Sequence, residues 1–182
     1  MKAAVKSIRV LRVGQRYVRD DRTFTHLCLV SRALGAECIY LEDAENDLVR
    51  TVEEVNSTWG GSFRVVLGEP WKKVMREAKE EGRTTVHLTM YGIPLQEKTE
   101  ELRRPEKVLV IVGGPKVPGR VYHESDYNIA VTSQPHSEIA ALSIVLHEIR
   151  AGKSLRGAWA KVDSESCLAP VARGLLKIEN RI

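Results

Sequence analysis

The sequence predicts an α/β protein with a parallel sheet flanked by helices. Short apolar segments alternate with longer segments of helical periodicity along most of the 182 residues, which is typical of parallel strands joined by crossover helices. Gly and Pro stand at the ends of these segments, where strands and helices are expected to stop. The length is sufficient for one domain with a sizeable core.

Six strands are predicted from short runs of apolar and β-branched residues. The first run, IRVLRV, alternates apolar and basic residues and stops at Gly14. The fifth, VLVIVG, is apolar throughout. The predicted strands are residues 8–13, 38–41, 63–67, 84–88, 108–113 and 127–131.

Helices are predicted between these strands, and most have an end signal. Gly35 follows the first helix and Gly152 the last, while Pro70 stands in the first turn of the third. The predicted helices are residues 25–34, 45–59 and 70–81, a short helix that ends at Leu102, and residues 137–149.

The tail does not continue the alternation, although residues 158–162 are a candidate strand of a hairpin. We predict one domain, with residues 1–153 as its body and residues 154–182 as a C-terminal extension.

Composition limits the class of protein. A formal charge of +4 and a pI near 9.0 allow a nucleic-acid partner without requiring one. No apolar run approaches the roughly 20 residues that cross a bilayer, and the N-terminus does not resemble a signal peptide. The three cysteines are widely spaced, which favours reduced thiols in a cytoplasmic protein and argues against a zinc site. We expect neither a membrane nor a metal as a partner.

Three common motifs are missing from the sequence. No G-x-G-x-x-G follows the first strand, and neither G-x-x-x-x-G-K-[ST] nor G-x-S-x-G occurs. These absences exclude a dinucleotide-binding fold, a P-loop nucleotidase and the usual serine hydrolase.

Loops rich in small residues follow three of the predicted strands, and they read LTMYG from Leu88, VGG from Val112 and VTSQ from Val131. Ligands of open α/β sheets bind at the carboxyl ends of strands, so we expect these loops to converge on one pocket for a flat heterocycle. Taken alone, the Gly113-Gly114 pair indicates only a tight turn.

Residues 15–26, after the first strand, hold three arginines, two aspartates and two aromatic residues. One interpretation is a solvated loop whose charges pair with one another. The other is an RNA-contacting surface, in which arginines bind phosphates and Tyr17 or Phe24 stacks on a base. We favour the second, because this segment is expected at the same sheet edge as the pocket.

The most specific motifs are VGGPKVP at residues 112–118, and DYNIAV with QPHSE at residues 126–131 and 134–138. Further matching stretches are residues 9–14, 19–22, 25–26, 32–36 and 86–92. Together they span nearly the whole chain and resemble the SPOUT class of RNA methyltransferases. More narrowly, they resemble the archaeal tRNA cytidine-56 2′-O-methyltransferase family.

The resemblance implies a parallel sheet whose C-terminal part is tied in a deep trefoil knot. It implies that S-adenosylmethionine binds in the knot, that tRNA is the substrate, and that two subunits form a homodimer. The predicted cofactor-binding residues are Leu88, Met90, Tyr91, Gly92, Gly113, Gly114, Pro115, Lys116, Val117, Val131, Thr132, Ser133, Gln134, Pro135, His136, Ser137 and Glu138.

The catalytic residues are predicted in the segment after the first strand. A ribose 2′-hydroxyl is a weak nucleophile, so methylation needs a group that takes its proton or stabilises the alkoxide. Arg22 is the first candidate and His26 the second. The chain has Leu29 where the wider 2′-O-methylating group is expected to place a helical arginine, and Arg32 lies at another helical phase. The predicted RNA-binding residues are Arg16, Tyr17 and Arg19.

The remaining histidines His87, His123 and His147 are expected to be structural. Two other functions remain open. The chain could be a SPOUT methyltransferase for another target, such as a ribosomal RNA ribose or a base nitrogen. It could also be a non-catalytic RNA-binding protein with this fold.

Overall fold

Six parallel strands form one sheet in the computed structural model, which describes residues 5–14, 21–42, 44–114, 116–155, 166–169 and 177–180. The strands are β1 (Ser7–Val13), β2 (Cys38–Leu41), β3 (Arg64–Leu67), β4 (Thr84–Pro94), β5 (Lys107–Gly113) and β6 (Tyr127–Ala130). Their order is β3-β2-β1-β5-β4-β6, and every neighbouring pair is parallel. The predicted parallel α/β sheet is confirmed.

Six helices cover the two faces of this sheet within the described part of the chain. They are α1 (Asp21–Ala33), α2 (Asn46–Trp59), α3 (Trp71–Glu80), α4 (Leu95–Leu102), α5 (Gly119–Glu124) and α6 (Glu138–Ile149). The apolar residues of α1, α2, α4 and α6 belong to one core cluster, and those of α3 and α5 belong to a second. The central strands are buried on both sides, so β5 is apolar at every residue from Val108 to Val112.

The structure differs from the predictions at the end of β4. Residues 89–92 were predicted as an exit loop, but they are a bulge inside the strand, because Leu88 and Ile93 both pair with Ile129 of β6. Gly92 permits this: a Cβ there would lie 2.5 Å from the carbonyl oxygen of Asn128. The bulge carries Tyr91 outward, where it is 80% exposed.

Two helices also differ from the predictions. Helix α1 begins at Asp21, four residues before its predicted start. Helix α5 was not predicted at all, because its six residues, GRVYHE, contain a single buried apolar side chain, Val121. Such a short segment shows no readable periodicity and is stabilised by its packing on the sheet.

The tail contains an antiparallel hairpin formed by β7 (Ser166–Ala169) and β8 (Lys177–Asn180). The strand predicted at residues 158–162 lies outside the described residues. In the described part of the chain, no helix combines the length and the apolar character that a membrane span requires.

Candidate functional site

A cavity of about 410 Å³ opens at the carboxyl ends of β5, β4 and β6. The first residues of α6 and Thr23 of α1 complete its wall. These three strands are neighbours in the sheet, with β4 in the middle. Parts of all three predicted segments therefore meet at one cavity: the bulge of β4, the Gly113-Gly114 pair after β5, and Val131 after β6.

Most of the predicted cofactor-binding residues line this cavity: Leu88, Met90, Tyr91, Gly113, Gly114, Val117, Val131, Pro135, His136, Ser137 and Glu138. The cavity lining does not include Gly92, Lys116, Thr132, Ser133 and Gln134. Pro115 lies outside the described residues. Eight further residues line the cavity but were not predicted as cofactor-binding residues: Thr23, His87, Thr89, Val112, Tyr122, Ile129, Ile139 and Ala141.

The two glycines after β5 allow close packing of the loop beneath the cavity. A Cβ on Gly114 would lie 2.7 Å from Nη2 of Arg12, and a Cβ on Gly113 would collide with the side chain of Val117. The sequence suggested only a tight turn or a pocket at this point. The structure shows why both residues are glycines: the guanidinium of Arg12 and the side chain of Val117 lie too close to leave room for a Cβ.

Arg12 is the most important site-adjacent residue that sequence reasoning missed. Its position in β1 follows Ile8 and Val10 in the strand alternation, so it faces the same side of the sheet as these core residues. It is 4% exposed, its Nη1 donates to the carbonyl oxygen of Gly14, and its guanidinium lies 5.0 Å from the ring centroid of Phe24. A basic residue in an alternating strand is usually expected to face solvent, so the sequence pattern did not predict that Arg12 is buried.

The partner of Arg12 across the core is Glu138, the first residue of α6. The Nε of Arg12 is 3.9 Å from Oε2 of Glu138, and the glutamate side chain is 9% exposed. Ser137 caps the helix by accepting a hydrogen bond from the backbone N–H of Ala140 at 3.1 Å. The ion pair and the cap together hold the start of α6 against the end of β1.

Polar residues connect β4 to β6 on the cavity's other side. The Nδ1 of His87 is 2.8 Å from Oδ1 of Asn128, and the amide nitrogen of Asn128 donates to the carbonyl oxygen of Tyr122 at 2.9 Å. The hydroxyls of Thr89 and Tyr122 are 3.3 Å apart. Burial lowers the pKa of His87, an effect that its contact with Asn128 opposes.

Neither predicted catalytic residue lines the cavity. Arg22 and His26 are both exposed, one turn apart on α1, while their neighbour Thr23 lines the cavity. Arg32 is directed elsewhere, because its Nε donates to Oδ1 of Asn56 at 2.8 Å and its Nη2 to the carbonyl oxygen of Gly60. Arg16, Tyr17 and Arg19 lie outside the described residues.

Cys28 and Cys38 are both free and buried. Burial raises both pKa values, that of Cys28 to about 12. Near neutral pH these thiols are protonated, so neither is a nucleophile. Within the described ranges, no group of three or more His, Cys, Asp or Glu residues is arranged to hold a metal ion.

Several solved structures share this fold. The chain superposes on an RNA 2′-O ribose methyltransferase with a TM-score of 0.63, at 15% identity over 84% of this chain and 59% of that one. It superposes on the Aquifex aeolicus TrmH/SpoU tRNA modifying enzyme with a TM-score of 0.62, at 15% identity over 87% and 83%. It also superposes on the SpoU methyltransferase AviRb from Streptomyces viridochromogenes, solved with the cofactor AdoMet, with a TM-score of 0.58, at 12% identity over 86% and 61%. The fold is that of the SpoU/TrmH methyltransferases.

Sequence comparison identifies the family within that class. The profile of the family described as tRNA ribose 2′-O-methyltransferase, aTrm56, matches residues 59–175. The tRNA (cytidine(56)-2′-O)-methyltransferase of Nitrosopumilus maritimus is 47% identical over 80% of this chain and 82% of its own length. That of Cenarchaeum symbiosum is 44% identical over 92% and 94%. The chain belongs to the aTrm56 family, so the predicted family and enzyme class are confirmed. Enzymes of this family use S-adenosylmethionine, so the predicted cofactor is confirmed with them.

Proposed function

We propose that this protein transfers a methyl group from S-adenosylmethionine to the ribose 2′-oxygen of cytidine 56 in tRNA. The observation that carries the proposal is the identity of 40–47% to relatives named tRNA (cytidine(56)-2′-O)-methyltransferase, over most of the chain. The position of the cavity at the carboxyl ends of β5, β4 and β6 supports the same activity.

The cavity suits the cofactor in size and chemistry. Its volume of about 410 Å³ is within the range of about 300–1,000 Å³ that is usual for small-molecule sites. Leu88, Ile129 and Val131 supply apolar walls for a purine. Glu138 supplies a carboxylate, and His87 a buried ring nitrogen. Bound there, the cofactor would supply an activated methyl group on a sulfonium.

The protein's part in the chemistry is to position the ribose hydroxyl and to help it lose its proton. We assign the first role to Arg22, whose positive charge at the cavity rim can stabilise a developing alkoxide directly or through a target phosphate. His26 lies one turn along the same exposed side of α1 and is the second candidate, as a base. Arg16, Tyr17 and Arg19 are proposed to bind the RNA.

The proposal extends to assembly as a homodimer. Residues of α6 such as Leu142 and Val145 are buried in the subunit's own core, but Ile144 on the same helix is 44% exposed. Ile93 and Tyr91, in and beside the β4 bulge, are also exposed large hydrophobic residues. These exposed residues are the candidates for a subunit interface. Light scattering tests the dimer, and Ile144→Lys is expected to shift it to monomer.

The deep trefoil knot is also part of the proposal, with α6 threaded through the chain. Its support is the packing of α6 among α1, α4 and the sheet, where Arg103 donates to the carbonyl oxygen of Glu148 at 2.8 Å. Tracing the chain in a crystal structure of the dimer tests it. We further propose that residues 154–182 extend the domain formed by residues 1–153, and that the protein acts in the cytoplasm.

The decisive experiment uses labelled S-adenosylmethionine and an unmodified tRNA transcript, followed by mapping of the labelled nucleotide. We expect one label, on the ribose of cytidine 56. A transcript with 2′-deoxycytidine at position 56 is the matched control and is expected to accept no label. Label at another nucleotide would show a different target. Binding of cofactor and tRNA without transfer would show a non-catalytic RNA-binding protein.

A further inference from the structure

His87 is a fully buried histidine in the wall of the cavity. It lies on β4, its side chain is 0% exposed, and it contributes to the cavity lining beside Tyr122 and Thr89. Its ring packs against that of Tyr122 in a T-shaped arrangement, with 4.6 Å between the centroids. It takes no part in the proton transfer proposed for Arg22 and His26.

The hydrogen bonds around His87 determine where its proton lies. The amide nitrogen of Asn128 donates to the carbonyl oxygen of Tyr122 at 2.9 Å, and a carbonyl oxygen can only accept. The amide of Asn128 is therefore oriented with Oδ1 toward Nδ1 of His87, at 2.8 Å. Since Oδ1 also can only accept, the proton of the neutral ring must be on Nδ1.

The second ring nitrogen, Nε2, is then a hydrogen-bond acceptor with a lone pair. It is buried, and none of the described residues gives it a hydrogen bond. Burial lowers the pKa of His87, so the ring is neutral near pH 7 and Nε2 keeps its lone pair. A buried acceptor without a donor costs free energy, which a bound ligand with a matching donor would recover.

The charge of the surroundings indicates which part of a ligand this acceptor suits. A lone pair would repel a carboxylate. A ligand ammonium is better matched by the carboxylate of Glu138, which also lines the cavity. The ligand group that best suits Nε2 of His87 is therefore an uncharged N–H or O–H donor. In S-adenosylmethionine, such donors belong to adenosine: they are the 6-amino group and the ribose hydroxyls.

Resting on the proposed function, we propose that Nε2 of His87 accepts a hydrogen bond from an uncharged donor of the cofactor's adenosine half. His87 is thus a cofactor-binding residue whose tautomer is set by Asn128. It makes the cavity selective for a nucleoside that carries that donor, in addition to the apolar contacts of its walls.

The first test measures binding of S-adenosylhomocysteine by calorimetry, without turnover. In His87→Asn, the shorter amide can still donate to Asn128 but provides no acceptor at the position of Nε2. We expect its dissociation constant to rise about tenfold, the effect of one hydrogen bond. His123→Asn, on the exposed part of α5, is the matched control and is expected to leave the constant unchanged.

The second test identifies the donor with analogues of S-adenosylhomocysteine that lack the 6-amino group or a ribose hydroxyl. The analogue that lacks the donor to His87 should bind the wild type more weakly than S-adenosylhomocysteine does. In His87→Asn, the same analogue should bind as well as S-adenosylhomocysteine. If, for every analogue, the loss of binding free energy adds to the loss caused by His87→Asn, the proposal is overturned.

A third measurement needs no variant. The ¹⁵N resonance of Nε2 in the wild-type protein should move on addition of S-adenosylhomocysteine, toward the position of a hydrogen-bonded acceptor. Wild-type protein that does not bind S-adenosylhomocysteine would contradict the proposed function itself. Tight binding with an unmoved Nε2 resonance, or with equal affinity in His87→Asn, would overturn the inference about His87 alone.

Discussion

Two arginines ten positions apart have opposite environments. Arg12 is buried beneath the cavity, beside Glu138, Phe24 and the carbonyl oxygen of Gly14. Arg22, in the first turn of α1, is exposed next to Thr23 of the cavity wall. The two arginines mark two parts of the proposed site: the cofactor side beneath the cavity, and the RNA side at the start of α1. Arg12 is enclosed by contacts within the protein, whereas the side chain of Arg22 is exposed.

The difference implies that changes below the cavity affect folding and cofactor binding, while changes at the rim affect the methyl-transfer rate. Four predictions test this division.

The largest effect is expected from Gly114→Val. Its Cβ would lie 2.7 Å from Nη2 of Arg12, so either the loop or the guanidinium must move. We expect the affinity for S-adenosylhomocysteine to fall by a factor of about 1,000 or more, equivalent to about 4 kcal/mol, while the oligomeric state is unchanged. Calorimetry and light scattering measure the two quantities. Gly119→Ala, where a Cβ meets open space, is the control. Normal affinity in Gly114→Val would refute the cavity as the cofactor site.

Arg12→Leu is expected to destabilise the fold. It leaves the buried carboxylate of Glu138 without its cation, which costs about 3 kcal/mol in the free energy of unfolding. Urea denaturation measures the loss, and the double variant with Glu138→Leu should recover part of it. The exposed pair Arg76–Glu80 on α3 provides the comparison, and Arg76→Ala is expected to change stability by less than about 1 kcal/mol. Equal effects of the two substitutions would remove the distinction between buried and exposed arginines.

Arg22→Ala is expected to leave stability and S-adenosylhomocysteine affinity unchanged. The single-turnover rate of methyl transfer should fall about 100-fold, the lower end of the contribution of a positioned catalytic group. Arg50→Ala, an exposed arginine of α2, should retain the wild-type rate. If Arg22→Ala binds both tRNA and cofactor and keeps the full rate, Arg22 has no catalytic role and His26 becomes the first candidate.

The smallest effect is the pH dependence that His87 contributes to stability. Burial holds its pKa in the folded protein below the value of about 6.5 of an unfolded histidine. Between those two values the unfolded chain binds a proton that the folded protein does not. The free energy of unfolding therefore decreases as the pH falls below about 6.5, by at most about 1.4 kcal/mol per pH unit.

Urea denaturation at several pH values between 5 and 8 measures this slope. His87→Asn is expected to show a shallower slope than wild type. An unchanged slope in His87→Asn would mean that His87 binds its proton equally in the folded and the unfolded protein, which would contradict the neutral ring on which the tautomer argument rests.

Local sequence patterns predicted the repeating parts of the molecule well. The segment 38–41 is β2 as predicted, because four apolar residues between a glycine-terminated helix and a polar turn allow little else. The three small-residue segments were expected to meet, and residues from each of them line one cavity, although Gly92, Thr132, Ser133 and Gln134 do not. Strand ends of a parallel sheet share an edge, so their meeting follows from topology alone. The aTrm56 family was recognised from motifs in these same loops.

Features that depend on distant partners were not predictable in this way. The bulge of β4 exists because Leu88 and Ile93 both pair with one residue of β6. Helix α5 is too short for periodicity to reveal it. Arg12 looked like a surface residue of an alternating strand, and His87 like an isolated structural histidine. Their environments come from α6, α5 and β6, which are distant in sequence.

The sequence by itself determined the α/β class, most of the strands and helices, the sheet edge that carries the site, and the family. These follow from apolar periodicity, glycine and proline positions, and motif spacing, all of which are local. Only the tertiary structure decided that Arg12 is buried against Glu138, that a Cβ on Gly114 would meet that guanidinium, and that His87 is buried with Nδ1 beside Oδ1 of Asn128. The physical reason is that burial and hydrogen-bond partnership depend on what packs against a residue, and here those partners come from elements far along the chain.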